Sequence, residues 1–77
     1  MTKVQLAILV RLSNGELLED FTPAGWWMGY RMVSTNACNG LLRLFALWAV
    51  CGGGHTTYTI SAIGKKALDA QIEAEQV

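Results

Sequence analysis

Seventy-seven residues allow one domain with one modest core, burying roughly 60% of the surface that the unfolded chain exposes. Hydrophobic residues make up 52% of the chain and charged residues 16%, which excludes a disordered tail. Six basic and six acidic side chains give a net charge of zero, so no global field pulls the chain toward nucleic acid. The distribution of charge says more than the sum. Acids stand at Glu16, Glu19 and Asp20 and again at Asp69, Glu73 and Glu75. Between Phe21 and Lys66 there is none, while Arg31, Arg43, Lys65 and Lys66 fall in that span. Such a basic middle suits a phosphate-facing surface, and it equally suits a small apolar chain with its charges at its ends.

Thr2 followed by Gln5 is a capping-box pattern. Behind it, Val4, Ile8 and Leu12 make one helical face, yet Val4, Leu6, Ile8, Val10 and Leu12 also alternate as in a strand. Asn14-Gly15 fits a hairpin turn under the strand reading and a helix stop under the other. The cap selects a helix, with Gly15 as its stop. Leu17 and Leu18 then predict a short first strand, with Glu16, Glu19 and Asp20 in solvent. The run MTKVQLAILVRL superficially resembles a secretory signal, but Gln5 and Arg11 interrupt it and no small-residue cleavage site follows. Cytoplasmic location and reduced thiols at Cys38 and Cys51 are therefore expected. No membrane span is expected either, because the longest apolar run, Leu44 to Cys51, is far short of the roughly 20 residues needed.

Thr22-Pro23 reads as a helix start, with a hydroxyl cap and proline at the first helical position, and predicts a helix through Val33. Trp26 and Trp27 would sit about 100° apart on it, so one of them must lie at an edge. Packing suits Trp27, and a partner contact suits Trp26. Ser34 caps a third helix expected over 34–47. Ala37, Leu41 and Leu44 form its buried face, while Thr35, Asn36, Asn39, Arg43 and Ala46 share the opposite one. Cys38, Leu42 and Phe45 add a second apolar stripe, which other helices or a second chain would cover. A strand begins at Ala49 and Val50, a glycine-rich loop spans 51–56, and Thr57–Ile60 returns as a β-rich strand. Ser61 caps a last helix in which Leu68 and Ile72 form a narrow stripe. Lys65 and Lys66 in its first turn oppose the helix dipole.

Two stretches carry a family resemblance. Leu41-Leu42-Arg43-Leu44-Phe45-Ala46-Leu47-Trp48-Ala49-Val50 resembles the exit of a recognition helix into a strand, and Tyr58-Thr59-Ile60-Ser61-Ala62-Ile63-Gly64-Lys65-Lys66-Ala67-Leu68 resembles the end of a wing leading into the last helix. In this order, over residues 34–70, they resemble winged helix-turn-helix proteins. The resemblance implies an α+β fold in a single domain over 1–77, with three helices, a two- or three-stranded wing and a C-terminal helix. It implies a small regulator that binds double-stranded DNA as a homodimer. Helix 34–47 would enter the major groove through Thr35, Asn36, Asn39 and Arg43, since Asn pairs with adenine and Arg with guanine or phosphate. His55 and Thr56 in the wing 51–57, with Lys65 and Lys66, would contact the backbone. Trp48 stands where the family usually has glycine, and the wing tip has no Arg or Lys.

A second functional class fits the same scaffold: a protein-binding module, such as a phage or mobile-element protein that docks onto a host complex. The neutral charge and surplus aromatics favour it, with Trp26, Trp48 and Phe45 as anchors. Catalysis is not expected, because there is one histidine and no carboxylate pair in a polar cluster. Cys38, Cys51 and His55 lack paired zinc spacing and fall one ligand short, so no metal or cofactor is expected.

Overall fold

A computed structural model describes residues 1–52 and 54–75; of residues 51, 52 and 75 only the backbone is described. Helix α1 (Lys3–Ser13) is followed by strands β1 (Leu18–Asp20), β2 (Trp26–Met28) and β3 (Arg31–Val33). Then come α2 (Thr35–Arg43), β4 (Leu47–Gly52), β5 (His55–Ile60) and α3 (Ala62–Glu75). The strands form one antiparallel sheet in the order β3-β2-β1-β5-β4. The expected α+β class holds at this level. No helix among the described residues is long and apolar enough to cross a membrane.

All three helices contribute to a core on one face of the sheet. Strand residues alternate between faces, and Leu18, Trp26, Met28 and Leu47 point to the helical side. There they meet Ile8, Leu9 and Leu12 of α1, Ala37, Cys38 and Leu41 of α2, and Leu68 of α3. Among the described residues, the opposite face has no second layer. Register places Met32, Trp27, Glu19, Thr57 and Val50 in one row across it, with Trp48 and Thr59 in the next.

The local signals at the starts of α1 and α2 hold. Thr2 Oγ1 accepts from the Gln5 amide at 3.1 Å, and Gln5 Oε1 accepts from the Thr2 amide at 3.0 Å. That closes the capping box and settles the first segment as a helix. Gly15 beyond it takes φ +96°, the left-handed conformation that glycine adopts without strain. Ser34 caps α2 by accepting from the Ala37 amide at 3.3 Å.

The second segment is a correction. No helix follows Thr22-Pro23; the segment forms the β2–β3 hairpin, with Met28 opposite Arg31. Its two-residue turn has Gly29 at φ +63° in the first position, where a tight hairpin needs it. A strand also resolves the tryptophan pair, because adjacent strand residues face opposite ways. Trp26 is 2% exposed and tilts against Tyr58 at 5.3 Å between ring centroids. Trp27 is half-buried on the uncovered face. Trp26, expected at an edge and open to a partner, is thus in the core, and Trp27, expected in the core, lies on the other face. Without that helix, no helix-turn-helix pair precedes α2.

Helix α2 is also shorter than 34–47, ending at Arg43 so that Leu47 can open β4. Leu44, expected inside, is its exposed cap residue, and the buried face is Ala37, Cys38 and Leu41. Beyond it, β4 and β5 extend to Gly52 and from His55, so His55 and Thr56 lie within a strand and not in a loop. Gly53 of the expected loop lies outside the described residues, as do residues 76 and 77 of the expected last helix.

Candidate functional site

The register defines two ends of the sheet. At the tip end lie the β4–β5 turn, the loop joining β1 to β2 and the start of α2. At the base end lie the exit of α2 into β4, the exit of β5 into α3 and the β2–β3 turn.

These ends divide the residues expected to contact nucleic acid. Thr35, Asn36, His55 and Thr56 fall toward the tip, Arg43, Lys65 and Lys66 toward the base, and Asn39 midway along α2. Thr35, Asn36, Asn39 and Arg43 are exposed, as their shared helical face requires. His55 is engaged elsewhere. Its ring stacks on Phe21 at 4.3 Å between centroids, and its Nε2 lies 3.3 Å from Glu19 Oε2 on the uncovered sheet face. Thr56 alternates to the helical side and is half-buried. The tip also holds the carboxylates of Glu19 and Asp20, and Asp20 accepts from the amide and hydroxyl of Thr22. Arg43, Lys65 and Lys66 are therefore at the opposite end from the α2 N-terminus.

The base end gathers a different set. Helix α2 stops in a Schellman turn: Phe45 N–H donates to the Leu42 carbonyl at 3.0 Å, and Ala46 N–H donates to the Leu41 carbonyl at 3.0 Å. The residue between cap and strand must take positive φ. Here it is Phe45, at φ 56°, where glycine would sit without strain. Its carbonyl accepts from Ser61 Oγ at 2.6 Å, and Ser61 Oγ in turn accepts from the Gly64 amide at 3.0 Å, capping α3. The Ser61 amide donates to the Ala46 carbonyl at 3.0 Å. Gly64 has no room for a side chain, since a Cβ would strike that same Ala46 oxygen. The end of α2 and the start of α3 are thus stitched together.

This junction surrounds a cavity of about 430 Å³ lined by Phe45, Leu47, Trp48, Ser61, Ala62 and Ile63. Its size falls within the range of ligand-binding clefts. Phe45 is 72% exposed, Trp48 65% and Ile63 55%, and Leu44 beside them is exposed as well. Arg43 is two residues before Phe45. Lys65 and Lys66 lie one helical turn beyond Ala62 and Ile63, the spacing that places side chains side by side. Among the described residues, the ion pairs within 4.0 Å are Arg11 with Glu16 and His55 with Glu19, so these three cations are unpaired.

Phe45 and Trp48, expected as partner anchors, are therefore brought together, while Trp26 is not. Ile63 and Leu44 were missed, because helical spacing assigned Leu44 to the core and gave Ile63 no role. A signal was present: the stretch from Leu41 to Val50 turns from helix to strand without a glycine, so some larger residue must accept the left-handed conformation.

Cys38 offers no nucleophile. It is fully buried, and burial first, then the Asp20 charge, push its thiol up to about 11. Burial and Asp20 also raise the Tyr58 hydroxyl.

Fold and site together define a small two-layer α+β domain with one bare sheet face and an apolar cleft at its base. Comparison with protein families, with curated proteins and with solved structures finds no match for this chain.

Proposed function

We propose that this chain is a protein-binding module that docks a partner through the cleft at the base of the sheet. The observation that carries the reading is Phe45: a large apolar side chain held outward at φ 56°, beside exposed Trp48 and a formed cavity. A bulky residue at positive φ is uncommon, and such strain clusters at functional sites. Exposed aromatics around a desolvated pocket are the usual anchors of protein interfaces. The test is site-specific photocrosslinking in the native cell, with a photoreactive residue at position 48 and a control at position 10. A defined adduct at 48 that is absent at 10 and abolished by Phe45→Ala is expected. Equal labelling at both positions refutes the reading.

A second reading is the DNA-binding winged helix. It is supported by the β4–β5 hairpin, which follows α2 and pairs back with β1, and by the exposed N-terminal half of α2 lying at the same end as the β4–β5 turn. Arg43, Lys65 and Lys66 at the far end, and Glu19 and Asp20 at the near end, favour the protein partner. Tight, salt-sensitive duplex binding that is lost in Asn36→Ala and Asn39→Ala, and kept in Trp48→Ala, reverses that order. A homodimer belongs to this second reading, and a cytoplasmic location to both.

A further inference from the structure

Resting on the docking reading, we infer that the partner element is an acidic peptide segment carrying one large apolar anchor residue. The anchor enters the cavity between Phe45, Trp48 and Ile63. Its flanking carboxylates meet Arg43 on one side and Lys65 and Lys66 on the other.

Charge complementarity carries the choice. Asp69, one turn beyond Lys65 and Lys66, forms no ion pair with either within 4.0 Å. No acid occurs between Phe21 and Lys66, so neither α2 nor the β4–β5 hairpin supplies one to this rim. The N-terminus of the 14-residue helix α3 adds the positive end of its dipole at the same place. Two lysines at the end of that first turn and the start of the next raise the local potential against the helix's own preference, and an acidic partner relieves this conflict. A protein segment fits better than a nucleic acid. Leu47, Ala62 and Ile63 make a cleft for an aliphatic or aromatic side chain, whereas single strands need flat stacking platforms along a basic groove. Buried anchor and charged rim divide the work: the first sets residence time, the second association rate and choice of partner.

The experiment is selection from a random displayed peptide library against the immobilised full chain. It runs in parallel against Phe45→Ala/Trp48→Ala and against Arg43→Glu/Lys65→Glu/Lys66→Glu, each shown by circular dichroism to fold. The expected result is enrichment, on the unaltered chain, of peptides with one Phe, Trp, Leu or Ile flanked by Asp and Glu. The charge-reversed variant should select Lys- and Arg-flanked anchors and bind a synthetic acidic peptide at least about tenfold more weakly, a difference of about 1.4 kcal/mol. The aromatic double variant should enrich neither class. Anchors without charge preference, still lost in the double variant, overturn the acidic inference while leaving the docking reading. Enrichment that ignores the double variant, or no enrichment at all, overturns both. A mixed-sequence single-stranded DNA that outcompetes the selected peptide also overturns the inference.

Discussion

Replacing Phe45 separates backbone strain from side-chain contact. A residue in the left-handed conformation costs about 1–2 kcal/mol when it carries a Cβ, and glycine at this site removes that cost. Glycine also gives the unfolded chain more freedom, which takes back about 0.5–1 kcal/mol. The ring is 72% exposed, so deleting it forfeits only about 0.5 kcal/mol of burial, given about 1.5–3 kcal/mol for a wholly buried side chain. Phe45→Gly should therefore match the unaltered chain within about 0.5 kcal/mol. Phe45→Ala keeps the strain and loses the ring, so it should be the least stable of the three, below the glycine variant by about 0.5–1 kcal/mol. In an ordinary helical position the order is the reverse, alanine exceeding glycine by about 1 kcal/mol. Urea denaturation at neutral pH reads the difference, and a melting shift of a few degrees accompanies it in a domain of this size. Alanine equal to or above glycine refutes the left-handed assignment. A loss of about 3 kcal/mol in both variants shows that the ring is structural and not a docking group.

Gly64→Ala should destabilise by about 1–3 kcal/mol despite alanine's better helix propensity, because the Ala46 carbonyl is backbone and cannot move aside; thermal melting checks it. Trp26→Ala should cost about 3–5 kcal/mol or prevent folding, and Trp27→Ala much less, which far-ultraviolet circular dichroism and urea midpoints distinguish. Cys38 predicts an alkaline limit. Below pH 9 its thiol is neutral in both states, and between 9 and about 11 the unfolded chain ionises while the folded one keeps its proton. Stability should then fall with rising pH by about 1.4 kcal/mol per unit over that window. A Cys38→Ala variant should show a flatter profile in the same range. In a Cys51→Ser background, Cys38 should react with a thiol reagent only as fast as the protein unfolds.

Short-range chemistry was legible in the sequence where one side chain decides. Thr2 with Gln5, Ser34 and Ser61 each announce a helix start, and Leu18 and the residues before Ile60 announce strands. The hairpin over 26–33 was hidden because Thr22-Pro23 satisfies a helix-start pattern as well as a loop. Gly25 and Gly29, four apart, look alike on a helix and at the two ends of a strand. Tertiary pairing decided it, as Trp26 and Met28 reach the core only from a strand. At the site, Phe45 and Trp48 could be picked as surplus aromatics. Their grouping with Ile63 depends on Ser61 and Gly64 meeting the α2 exit, a contact between segments about fifteen residues apart that no local pattern encodes.

The sheet order has a consequence for how the chain is made. It joins Leu18 to Tyr58, so β1 and the β2–β3 hairpin wait for a partner that is synthesised forty residues later. Until then, β1 and the β2–β3 hairpin have a free edge, and Trp26 has no Tyr58 to lie against. Domains fold as units during synthesis, and here the sheet is complete only once β5 has emerged and the core only once α3 follows. Fragments ending before Ile60 are expected to expose that edge, and a stalled ribosome would present it to chaperones.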